Sequence, residues 1–221
     1  MSVWLQAWMI TETTQKGQAL EVVRCLENVN RELDLVRKGM NQATFSSSLY
    51  ENAISAFEEA ASPMLLPHTW SSVRQYLTPQ NIISLEYCSE ILPDEEALVP
   101  SDELSEILGL VSELRDAANS ENIPAILKAI MLHHVELIEK AIASYPITGV
   151  KALKVAVQTG IGELYLSKNV VIEHKNTPEL SKLAEVWEKV SDAADTALKL
   201  DKLVQVSQRA WNFIETICNG A

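Results

Sequence analysis

The chain has 221 residues, 47% of them hydrophobic, which is enough apolar material for one sizeable helical core or two small lobes. Its net charge of −12 argues against nucleic acid and anionic membrane surfaces as partners, since phosphate recognition needs a basic face. Its three cysteines, Cys25, Cys88 and Cys218, are widely spaced, which fits free thiols in a reducing cytoplasm better than a disulfide framework.

At the N-terminus Trp4 and Trp8, like Leu5 and Met9, recur at helical spacing. The segment reads as a terminal helix tucked into the bundle rather than a membrane anchor, because the usual basic residues are missing. No lysine or arginine precedes the apolar run, so no secretory peptide is expected. No window of about twenty residues is free of charge, so no transmembrane helix is expected either.

A heptad of Ala19, Val22, Leu26, Val29, Leu33, Val36 and Met40 predicts a helix over about 14–40, with Arg37 and Lys38 in its last turn and Gly39 as its stop. Ser48 and Glu51 form a capping-box pattern before a helix carrying Leu49, Ala53, Ile54, Phe57 and Ala61, which Ser62-Pro63 ends. Prolines at 63, 67, 79, 93 and 100 then punctuate the chain. Two short helices are predicted there, one with Trp70, Val73 and Leu77, the other capped by Thr78 with Pro79 at its first position.

From Ser101, the residues Leu104, Ile107, Leu108, Val111 and Leu114 line one helix. Asn122 is the predicted cap of the next, with Pro124 just inside and Tyr145-Pro146 at its end. His134 falls near the middle of that helix's apolar face, His133 at its edge, and Glu136 points away. After Gly149 a third helix carries Val150, Leu153, Val157, Ile161 and Leu164. Its small residues Ala152, Ala156 and Gly160 at every fourth position predict a close approach of two helix backbones. Residues 163–174 read either as a short β-hairpin or as a helix end capped by Asn169 with an extended connector. Thr177, Pro178 and Glu179 open the last helix. Leu183, Val186, Val190, Ala193, Ala197, Leu200, Val204, Ser207, Trp211, Ile214 and Cys218 share one seam of it. Unbroken from 178 to 219, that helix would be roughly 60 Å long.

The expected fold is therefore all-α, an elongated helical bundle with a long C-terminal helix. Its expected parts are an N-terminal helical region (1–62), a proline-punctuated acidic hinge (63–100), a helical module (101–175) and the last helix (176–221), together one unit. The stripe Leu104, Ile107, Leu108 and Leu114, then Asn122-Ile123-Pro124, Leu137, Ala141-Ile142, Tyr145, Gly149, Leu153 and Gly160 to Leu166 resembles a helical module of uncharacterised bacterial proteins. The resemblance spans roughly residues 104–166. It implies a bacterial origin and an accessory or interaction role, in a host-defence or mobile-element setting, and brings no catalytic residues with it.

No reaction is assigned by motif. There is no glycine-rich phosphate loop, no Gly-x-Ser-x-Gly elbow and no Arg-x₄-His pair, and a bundle metal site wants paired Glu-x-x-His units that do not occur. No catalytic residue, cofactor or metal ligand is therefore expected, and His134 reads as a core histidine whose burial lowers its pKa. Between Arg74 and Arg115 there is no basic residue, while Glu86, Glu90, Asp94, Glu95, Glu96, Asp102, Glu103, Glu106 and Glu113 are all acidic. Glu90, Asp94, Glu95, Glu96, Asp102, Glu103 and Glu106 are the candidate partner-binding residues. The expectation is a cytoplasmic, non-enzymatic adaptor, inhibitor or immunity-like subunit that binds a basic protein. A membrane-perturbing helical protein and a self-assembling structural oligomer are the alternatives.

Overall fold

A computed structural model describes residues 14–43, 45–92, 97–120 and 123–197. Among them every regular element is helical, and the protein is all-α. The tryptophan pair Trp4 and Trp8, the residues Asp94, Glu95, Glu96 and Asn122, and the last-helix seam from Leu200 onward lie outside the described residues. The chain divides into two compact units, residues 1–94 and 95–221. The short helices of the expected hinge pack within the first unit, and the last helix belongs to the second.

In the first unit α1 (Gln15–Gln42) packs on α2 (Glu51–Ala60), and α3 (Trp70–Arg74) precedes α4 (Pro79–Ile91). Thr14 caps α1, its Oγ1 accepting from Gly17 N at 3.0 Å. The predicted seam holds, with Val22, Leu26, Leu33 and Met40 buried. The predicted stop does not, since α1 runs through Gly39 to Gln42. A Cβ on Gly39 would lie 2.6 Å from Leu92 Cδ2, so this glycine admits a neighbouring side chain instead of ending the helix.

Because α1 is longer than expected, Arg37 is no longer at its end. It turns sideways, donating to Glu58 through Nη1 and Nη2 at 2.7 and 2.8 Å, to Glu51 through Nε at 3.0 Å, and to Asp34 through Nη1 at 3.0 Å. The forked pair with Glu58 is the geometry that makes an arginine–carboxylate contact worth more than an ordinary surface pair. Arg37→Met is expected to cost about 1 kcal/mol, read as faster amide exchange in Glu51–Ala60.

A further expectation in this unit is corrected. Ser48 does not cap α2. It sits in the 3₁₀ turn Ser47–Leu49, its hydroxyl 2.8 Å from that of Ser46, and Tyr50 takes the cap position without a side-chain bond. Tyr50 is buried there and donates to Asn41 Oδ1 at 2.6 Å, so packing of the ring sets the helix start. Burial raises the Cys88 thiol pKa, and its Sγ donates to Ser84 O at 3.1 Å. The Thr78-Pro79 start of α4 is as predicted, Thr78 Oγ1 accepting from Asn81 N at 3.3 Å.

The second unit is a closed ring of four helices. In it α5 (Ser101–Ala118) and α7 (Val150–Leu166) each pack on both α6 (Ala125–Thr148) and α9 (Pro178–Ala197), while the short α8 (Lys168–Glu173) joins α7 to α9. Heptad spacing explains the closure, because one apolar stripe per helix is enough when each stripe faces a common axis. Ile107, Val111 and Leu114 of α5, Leu127, Met131 and Ile138 of α6, Leu153 and Val157 of α7, and Leu183, Val186 and Val190 of α9 form one core. Pro124 is the cap residue of α6 itself rather than its first helical residue. The helix also carries on past Tyr145-Pro146 to Gly149, whose φ of 60° ends it. Pro146 is tolerated so close to the end, where only one backbone bond is forfeited. Tyr145 OH accepts from Val99 N at 2.7 Å, and Ala97 N donates to Ala197 O at 2.7 Å, so the lead into α5 is tied to α6 and α9. Residues 163–174 contain no strand; α7 ends at Leu166, and α8 replaces the extended connector.

Candidate functional site

The acidic candidates are placed as follows. Glu86 and Glu90 are exposed on α4 of the first unit. On α5 of the second unit Asp102 and Glu106 are exposed and Glu103 is half-buried. Asp102 and Glu103 occupy the first turn of α5, where the unpaired backbone N–H groups favour negative charge. Glu106 accepts from Lys189 Nζ of α9 at 2.9 Å, and Glu113 from Lys182 Nζ at 3.1 Å. The Glu106 carboxylate, helped by Glu103 and Asp192, raises the pKa of Lys189 above its ordinary value. Thus two acids of the stretch join helices, whereas Asp102 faces water.

A second constellation lies between α6 and α7. A recess of about 230 Å³ is lined by Ile130, His133 and His134 of α6, Glu163 and Leu166 of α7, and Ser167 at the α7–α8 junction. His133 and Glu163 come together across the two helices, Nε2 donating to Oε2 at 2.8 Å. Both remain in contact with water, their side chains 56% and 38% exposed. His134, one residue on, is 1% exposed and meets the buried indole of Trp187 edge-on at 5.7 Å between ring centroids.

Two buried nitrogens on those rings, His134 Nδ1 and Trp187 Nε1, have no hydrogen-bond partner among the described residues. Burial first, and then the neighbouring His133, lower the His134 pKa to about 4. The imidazole is consequently neutral at ordinary pH. The α7 surface admits the indole because position 160 is glycine, where a Cβ would stand 2.3 Å from Trp187 Cζ2. Gly160, the last residue of the small-residue stripe of α7, therefore seats a tryptophan ring.

Among the described residues no group of three His, Cys, Asp or Glu is placed to hold a metal ion. No helix among them is long and apolar enough to cross a membrane. The sequence identified His134 as a core residue, but it carried no signal for the His133–Glu163 pair, whose members are thirty positions apart. No protein-family profile, no curated protein and no solved structure matches this chain.

Proposed function

We propose that this protein is a non-enzymatic, cytoplasmic binding protein that captures a basic protein partner through acidic surface, acting as an adaptor, inhibitor or immunity-like subunit. The observation that supports this reading is the stretch between Arg74 and Arg115, in which every charged side chain is acidic. A field of one sign accelerates the approach of an oppositely charged protein and repels other acidic ones. Exposed apolar residues near these acids, Leu98 before α5 and Leu108 on it, offer the non-polar contact that charge alone does not supply. The accessory role implied by the bacterial helical module that residues 104–166 resemble agrees with such an activity.

The test is recovery of the tagged full chain from its native host at low salt. Elution with rising salt is expected to release a stoichiometric basic protein. Reversing Glu90, Glu95, Glu96, Asp102 and Glu103 to lysine is expected to abolish that capture and to leave the helical circular dichroism unchanged. Glu106 and Glu113 are kept because they pair with α9. Undiminished capture by the reversed variant, or recovery of the wild-type chain alone, overturns the reading.

A further inference from the structure

The recess between α6 and α7 contains a set of groups that the acidic-surface reading does not use. We infer that it is a binding site for a cationic side chain, an arginine or lysine of the basic partner, with the Glu163 carboxylate as the charged anchor and Ile130 and Leu166 as walls for the aliphatic stem. This inference rests on the proposed function and names where on the second unit that partner is gripped.

The charge balance of the recess selects the ligand class. Among the described residues Glu163 is the only carboxylate lining it, and neither lysine nor arginine lines it. Lys168 is adjacent in sequence, but its ammonium lies over the Tyr165 ring, 5.4 Å from the centroid. Burial keeps His134 neutral, so it adds no positive charge. An anion entering here would meet the Glu163 carboxylate, and the His133 ring beside it is already engaged on Glu163 Oε2. A wholly apolar group would strip water from Glu163 without replacing its hydrogen bonds.

A cation on an aliphatic stem meets neither cost. His133 occupies Glu163 Oε2 and thereby fixes the carboxylate in place, leaving Oε1 to accept from the incoming headgroup. Ser167 also lines the recess, and its hydroxyl is a second acceptor. His134, fully buried and lining the same recess, is neutral with an unpartnered Nδ1, so nothing on its side opposes a positive charge. Leu166 is 83% exposed beside these groups, a degree of exposure that contact with a partner's stem would relieve. A recess of about 230 Å³ is of the right order for one long side chain and far too small for a folded element.

The chain has four histidines, His68, His133, His134 and His174, so imidazole carbon-bound proton signals report the site in the intact protein. The probe is Nα-acetyl-arginine methylamide, with the uncharged citrulline analogue as control at equal ionic strength. The arginine probe is expected to move the His133 and His134 signals saturably while His68 and His174 stay in place, and the citrulline probe to move none. Glu163→Gln, at a partly exposed position and with its folding checked by circular dichroism, is expected to weaken the response at least about tenfold. No saturable shift, an equal response to citrulline, or equal movement of all four histidines overturns the inference.

Partner capture separates this inference from the reading beneath it. Glu163→Gln is expected to reduce capture severalfold. Full capture by Glu163→Gln, with loss on reversal of the α4–α5 acids, overturns the recess and leaves the proposed function standing. Full capture by both variants overturns both.

Discussion

Trp187→Ala is expected to lower the unfolding free energy of the second unit by about 3–5 kcal/mol, the range for deleting a buried aromatic side chain. The indole is 1% exposed and lies where α6, α7 and α9 meet, edge-on to His134 and against the backbone of Gly160. Its loss opens a cavity that neither helix can close without moving the other. The companion substitution Gly160→Ala is informative because its sign depends on the tryptophan. With Trp187 in place the added methyl meets the ring at 2.3 Å, so something must shift, and destabilisation of about 1–3 kcal/mol is expected. With Trp187 already reduced to alanine the clash is gone. Gly160→Ala is then expected to stabilise by about 0.5–1 kcal/mol through its better helix propensity. Urea denaturation of the four members of this cycle measures the coupling directly. Additive effects would mean that position 160 does not seat the indole.

The second large effect is on acid stability. His134 has a folded-state pKa lowered to about 4 from an ordinary 6.5, with burial as the main cause and His133 as the second. Between those two values the unfolded chain binds a proton that the folded chain refuses, so stability rises with pH across the interval. The contribution is fully present above pH 6.5, falls as the pH is lowered, and is exhausted near pH 4. Its size is on the order of 3 kcal/mol.

Among the described residues, the titratable neighbours of this imidazole are His133 on its own helix and, lining the same recess, Glu163 on α7, which His133 holds. Neither can follow His134 into the core to neutralise it. His134→Leu is therefore expected to remove most of the loss in stability between pH 6.5 and 4 while leaving the surface carboxylates to titrate as before. The difference between the two proteins, measured by urea unfolding at several pH values, isolates the histidine. Identical pH profiles would show that His134 carries no linkage.

The seams of the helices were legible in the sequence because an apolar residue every three or four positions admits only one buried face. Leu183, Val186, Val190, Ala193 and Ala197 are all buried as that spacing requires, and His134 falls on its face for the same reason. Helix starts with a Thr-Pro pair, at Thr78-Pro79 and Thr177-Pro178, were equally readable, since cap and fixed φ are local chemistry. Ends were less so. Gly39 and Pro146 both read as stops, yet α1 runs on to Gln42 with Leu92 packed over Gly39, and α6 runs on to Thr148. Ser48 had the right spacing for a cap but lost to the burial of Tyr50.

Composition and periodicity alone thus determined an all-α protein, the buried face of most of its helices and an excess of acid between Arg74 and Arg115. They did so because each property is set by residues within a few positions of one another. Which helix each face meets was decided only in three dimensions. Trp187 lies one residue off its seam yet fills the slot that Gly160 leaves on α7, and His133 reaches Glu163 across a turn of chain that no spacing rule spans. Contacts of that kind depend on the relative placement of whole helices, which is fixed by the fit of side chains from several of them at once.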